Sequence, residues 1–194
     1  MDWSVVGSGL AGSLIGAGVA LISVIISHTL NAKKDEEDRE KELFNYKQAL
    51  HDELDVFWKA YKEGIGDKLS AAEDNYALTD FYPEISTPFV IYEGNVDMLG
   101  RIKDHELRKL IVNVYSSIKT LLGQLSLHNE LLVKHENAYW EKEGTTDPSL
   151  EKRFQNIDQS ISASTRLLVS RNKEIKEALD ALLREFNKHG VLSN

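Results

Sequence analysis

Residues 147–190 read DPSLEKRFQNIDQSISASTRLLVSRNKEIKEALDALLREFNKHG. Leu150, Phe154, Ile157, Ile161, Ser164, Leu168, Asn172, Ile175, Leu179, Leu182 and Phe186 recur in steps of four and three, the period of one buried helix face. Asp147 supplies an N-cap, Pro148 a first helical residue and Gly190 a stop. Ser164 and Asn172 interrupt the stripe. Two readings of Asn172 stand: a buried amide that sets register, or a side chain at the solvent edge.

Working backwards, "GTTDPSL" is a turn, and before it lies a second long pattern. Leu107, Leu110, Ile111, Val114, Ile118, Leu121, Leu122 and Leu125 predict a helix capped by Asp104, running to about Glu143, with Gly123 as a point of bending. Leu43, Tyr46, Leu50, Leu54, Phe57 and Tyr61 predict a third, ending near Gly64 and Gly66. Residues 64–103 hold Gly64, Gly66, Pro83, Pro88, Gly94 and Gly100 and read as a loop-rich connector with one or two short helices. In "STPFVIYEGN", Thr87 is the expected N-cap, Pro88 the first helical residue and Gly94 the residue just past the end; the alternative is a short strand at "FVIY". The expected fold is all-α: an antiparallel bundle of long helices over residues 33–194, preceded by a membrane helix.

That membrane helix is residues 1–32. No Asp, Glu, Lys or Arg falls from Trp3 to Ala32, a run longer than the roughly 30 Å hydrocarbon core requires at about 1.5 Å per residue. A buried core helix rarely runs so far without a polar face. A cleaved leader needs a basic start and small residues before the cut, whereas Asp2 stands at the start and Leu30 near the end. Lys33 and Lys34 follow the run directly. The positive-inside rule therefore places the remainder in the cytoplasm, as a single-pass protein of the inner membrane. Ser8, Gly12, Gly16 and Ala20 recur every four residues, and Gly9, Ser13 and Ala17 form an adjacent ladder. Two neighbouring small-residue ridges let helices approach closely on both sides, which predicts a homo-oligomer.

Composition narrows the partners. The formal net charge is -8, with 31 acids against 23 bases, so no nucleic-acid partner is expected. There is no cysteine, hence neither disulfides nor thiolate metal sites. Of His28, His51, His105, His128, His135 and His189, none forms an HExxH pair. His128 and His135 share a face two turns apart, about 10 Å by helical rise, too far for one metal to bridge. "HNELLVKHENAYWEKE" therefore reads as a solvated face, and no metal, cofactor or catalytic residue is assigned. "GSGLAG" imitates a dinucleotide fingerprint but has no strand before it. Phe81, Tyr82, Phe89 and Tyr92 either line a ligand or partner surface or pin the connector onto the bundle.

In "PFVIYEGNVDMLGRIKDHELRKLIVNVY", the residues Phe89, Tyr92, Asn95, Leu99, Gly100 and Ile102 and the later "IVNVY" carry a resemblance. The stretch, about a sixth of the chain, resembles a segment of uncharacterised bacterial proteins with one N-terminal membrane span and a helical cytoplasmic part. The resemblance implies no catalytic residues. The layout is also similar to that of membrane effectors of antiphage systems. The sequence thus predicts a non-enzymatic, membrane-anchored, self-associating interaction module that meets a cytoplasmic protein or small-molecule signal. The alternative is a pore-forming or membrane-disrupting effector.

Overall fold

A computed structural model describes residues 33–72, 77–83 and 89–191. The chain divides into two units, Met1–Asn45 and Tyr46–Asn194. In the first, residues 33–45 are helical and largely exposed, with an ion pair from Lys33 to Glu37 at 3.9 Å. Among the described residues no helix is long and apolar enough to cross a membrane. The expected span at residues 1–32, with its ladder residues, lies outside the described residues.

The second unit is helical, with no strand among the described residues. Helix α1 covers residues 46–61 and passes through a π-helical turn, Lys62–Gly66, into a last α-turn, Asp67–Ser70. Two short helices follow, α2 (Val90–Gly94) and α3 (Val96–Arg101), then the long α4 (His105–Lys142) and α5 (Pro148–Lys188).

The ends of the long helices follow from local chemistry. Asp104 accepts the N–H groups of Glu106 and Leu107 at 2.9 and 3.0 Å, and Asp147 accepts that of Ser149 at 2.8 Å with Pro148 in the first turn. Each cap satisfies donors that have no partner within the helix. At the far end of α5, Gly190 takes φ +73° and Val191 N–H reaches back to Phe186 O at 3.0 Å. This left-handed stop tucks buried Val191 under the last turn. Helix α4 runs unbroken through Gly123.

Pairings along the chain give the topology. Tyr61 meets Asn172 and His51 meets Phe186, so α1 and α5 are antiparallel. Asp104 meets His189 and His128 meets Ser164, so α4 and α5 are antiparallel too. At about 1.5 Å per residue, the 38 residues of α4 and 41 of α5 outrun the stretch from Tyr46 to Ser70 by roughly 20 Å. The expected stripes are buried where three helices meet: Leu50, Leu54, Tyr61, Leu107, Ile111, Ile118, Leu121, Leu168, Ile175, Leu182 and Phe186. Beyond that, Leu150, Phe154 and Ile157 are only half-buried.

Two expectations need correction. The first helix does not end at Gly64 and Gly66; it continues to Ser70. Their lack of side chains serves close packing of rings. A Cβ on Gly66 would lie 2.7 Å from Tyr61 Cε1, and one on Gly64 would lie 3.1 Å from Tyr82 Cε2. The connector helix starts at Val90 after Phe89, and Gly94 is its last residue rather than its stop; Thr87 and Pro88 lie outside the described residues. "FVIY" is not a strand, because Val90 onward is helical. Of the two readings of Asn172, the buried one holds, at 4% exposure.

Candidate functional site

Two buried polar side chains, His128 and Thr165, lie where the connector meets the bundle. Segment 77–83 has no regular structure, so its backbone groups need partners from elsewhere. Leu78 N–H donates to Thr165 Oγ1 at 3.1 Å, and Leu78 C=O accepts from His128 Nε2 at 2.9 Å. Four residues on, Asn129 does both jobs: its Oδ1 accepts Tyr82 N–H at 3.2 Å and its Nδ2 donates to Tyr82 C=O at 2.8 Å. Neighbouring residues of one turn of α4 thus clamp two backbone positions of the connector. Lys68 to Asp80, at 2.9 Å, adds an exposed tie.

His128 is fully buried, which overturns the reading of its helix face as solvated. A carbonyl only accepts, so the neutral ring carries its proton on Nε2, and Nδ1 accepts from Ser164 Oγ at 3.0 Å. Burial pushes its pKa below the usual histidine value of 6.5, against a smaller opposing effect of the Leu78 carbonyl. The unfolded chain then binds the proton more readily than the folded one. The His128 contribution to stability is complete above about pH 6.5 and is lost as pH falls towards the lower folded value. We expect the melting temperature to fall more between pH 7 and pH 5 for the wild type than for His128→Gln, which keeps a donor and an acceptor without titrating. Parallel pH profiles would contradict this. His135 stands apart from this site, against the Phe154 ring at 4.6 Å.

A second cluster fixes α2. Glu53, on α1, accepts the N–H groups of Ile91 at 2.6 Å and Tyr92 at 3.2 Å, and the hydroxyl of Tyr115 at 2.9 Å. It does the work that sequence reading gave to Thr87. Tyr92 stacks on Tyr115 with centroids 3.9 Å apart, and Phe89 meets Tyr115 edge-on at 4.9 Å. Burial, then the Glu53 charge, drives the Tyr115 pKa far up. Burial, with Tyr92 and Glu53, pushes Tyr46 up to about 12. Both phenols stay protonated at neutral pH; Tyr115 hydrogen-bonds to Glu53, whereas Tyr46 serves packing.

The four connector aromatics therefore separate. Phe89 and Tyr82 are buried and Tyr92 is stacked, so they pin the segment. Phe81 is 56% exposed. Together with Tyr82 and Pro83 it forms one wall of a groove of about 560 Å³ whose other wall is α4, from Leu122 to Val133. The groove has the volume of a small-molecule or side-chain pocket. Its wall is largely apolar; Asn129 has its amide engaged by Tyr82, leaving Ser126 and Glu130 to face an occupant. Such a surface recognises shape and apolar area. Sequence reasoning had singled out Phe81 and Tyr82, but missed His128, Asn129 and Thr165. The "STR" and "LHN" triplets that hold them carry no motif. Asp104, Glu185 and His189 form a separate group at the other end of α5.

The chain matches no family model, no curated protein and no solved structure.

Proposed function

We propose that the chain is a membrane-anchored, self-associating helical interaction module without catalytic activity, its helical unit facing the cytoplasm. The observation that carries this reading is the uncharged run from Trp3 to Ala32 followed directly by Lys33 and Lys34. The groove beside Phe81 supports it: an apolar surface on a clamped backbone suits an apolar side chain of a cytoplasmic protein, or a small-molecule signal. A reporter fused after Asn194 tests the orientation. Activity of a reporter that works only in the cytoplasm is expected; activity of one that works only outside it would overturn the reading.

The doubled ladder of small residues favours a second reading, an effector whose spans form a ring and breach the membrane. Both readings require self-association through the ladder. Gly12→Leu and Gly16→Leu should insert normally, since leucine is favourable in hydrocarbon, but should weaken or alter the oligomer. Gly7→Leu, off both ladders, is the control. The measurement is complex mass in mild detergent; unchanged mass for the Gly12→Leu, Gly16→Leu double variant would remove the ladder from the account. Loss of membrane potential on expression of the wild type would favour the effector over the module.

A further inference from the structure

His189 closes α5 as its C-cap, and Glu185 lies one helical turn before it. The i, i+4 spacing brings both side chains onto one edge of the helix end. Asp104, the N-cap of α4, meets them from the neighbouring helix. His189 Nε2 lies 3.2 Å from Asp104 Oδ2 and 3.9 Å from Glu185 Oε1, and one ligand atom from each of the three lies within 4.8 Å of the other two.

The second oxygen of each carboxylate is held by another partner. Asp104 Oδ1 accepts two backbone N–H groups, which fixes the carboxylate and leaves Oδ2 turned to the histidine. Glu185 Oε2 is taken by Lys188 Nζ at 2.7 Å, which leaves Oε1 turned the same way. One nitrogen and two carboxylate oxygens thus converge from two different helices, each on a side chain whose position is set by its backbone or by a second contact.

That donor set has the chemistry of a transition-metal site. A tetrahedral zinc ion, about 2.0–2.2 Å from its ligands, holds neighbouring donor atoms roughly 3.3–3.5 Å apart. The two separations to His189, 3.2 and 3.9 Å, bracket this, and the two carboxylate oxygens lie within 4.8 Å of each other, so modest side-chain rotations would draw the three donors onto one ion. Imidazole with carboxylates suits zinc and its first-row neighbours, whereas an all-oxygen set would suit magnesium or calcium. The three side chains are partly exposed, which leaves water to complete the coordination. The C-terminal end of the α5 dipole adds negative potential at His189. With a neutral imidazole the set carries two negative charges, and Lys188 pairs with the one on Glu185.

We propose that Asp104, Glu185 and His189 bind one divalent first-row transition-metal ion, zinc being the best fit, which fastens the N-terminus of α4 to the C-terminus of α5. The ion would make the closure of this end of the helical unit depend on metal supply. This end is also the one at which His51 of α1 meets Phe186, with ring centroids 6.2 Å apart. The proposal concerns residues outside the groove and does not depend on the membrane reading.

Cobalt(II) is the probe, because a four-coordinate site gives visible d–d absorption that water-bound cobalt lacks. The tag-free full-length chain in mild detergent is titrated with Co²⁺ and then with Zn²⁺. One equivalent of Co²⁺ per chain should produce the absorption and one of Zn²⁺ should abolish it. His189→Ala and Glu185→Gln should each weaken Co²⁺ binding by at least about tenfold. Asp104→Asn should do the same while keeping the helix cap, since an asparagine oxygen still accepts the backbone N–H groups. Circular dichroism of each variant confirms that the helices persist. His105→Ala, a neighbouring exposed histidine, should change nothing. The proposal is overturned if the wild type gives no four-coordinate signal, or if the signal survives His189→Ala or Asp104→Asn. It is equally overturned if the signal disappears with His105→Ala; His189 would then serve only as a hydrogen-bonded tie to Asp104.

Discussion

Replacing Leu179 with Asp is expected to leave the helical unit largely unfolded at room temperature. Leu179 is 2% exposed and sits on α5 between two contacts with α1, Tyr61 to Asn172 and His51 to Phe186. Removing a buried leucine costs about 2–5 kcal/mol. Placing a carboxylate there costs several kcal/mol more unless the group takes up a proton or reaches water. A domain of this size is stable by about 5–15 kcal/mol, so the two effects together consume most of that margin. Leu167→Asp, on the same helix but at a residue 46% exposed, should shift stability by no more than roughly 0.5 kcal/mol. Far-ultraviolet circular dichroism and thermal melting decide the matter. A wild-type melting temperature for Leu179→Asp would show that this stripe does not form the core.

The second large effect concerns the one amide buried in that stripe. Asn172 Oδ1 accepts from Tyr61 OH at 2.9 Å, and its Nδ2 donates to Ser70 Oγ at 2.9 Å and Gly66 O at 3.3 Å. Ser70 Oγ in turn donates to Gly66 O at 2.8 Å. The network ties α5 to the π-helical turn at the end of α1. Asn172→Leu keeps the branching at Cγ, though with bulkier methyl groups, and removes every one of these bonds. It leaves the Tyr61 hydroxyl buried without an acceptor, and each orphaned group costs about 1–3 kcal/mol. We expect a loss of about 2–4 kcal/mol for Asn172→Leu and about 1 kcal/mol for Tyr61→Phe. The double variant should be less damaged than the sum, because Tyr61→Phe removes the hydroxyl that Asn172→Leu strands. Denaturant melts of the four proteins give the coupling. Strict additivity would mean that the hydroxyl and the amide do not depend on each other.

The long helices were legible because each carries its own signals: an apolar period, an Asp at the start, and for α5 a proline inside and a glycine beyond the end. Those signals are local and act within one element. The polar clamp was not legible for the opposite reason. His128 and Asn129 lie in an ordinary run of polar and apolar residues, and what buries them is segment 77–83, about 50 positions earlier in the chain. Periodicity records residue type and not what arrives from elsewhere. Glu53 shows the same limit, because the N–H groups it satisfies belong to Ile91 and Tyr92, and no spacing on α1 announces them. Gly64 and Gly66 misled for another reason. Glycine weakens a helix on average, but Gly66 also admits the Tyr61 ring where a Cβ would collide, and burial of that ring outweighs the propensity term of about 1 kcal/mol. The half-buried Phe154 and Ile157 follow from length alone, since α4 and α5 extend beyond the reach of α1.

Residues 3–32 carry the proposed anchoring, and membrane partition of the full-length chain tests it most directly. Membranes from cells expressing the chain are washed in alkaline carbonate, which strips peripheral proteins and leaves integral ones. We predict that the full-length chain stays in the pellet, and that a variant with Asp at both Leu14 and Ile22 is released. Release of the wild-type chain by carbonate would contradict the anchored-module account.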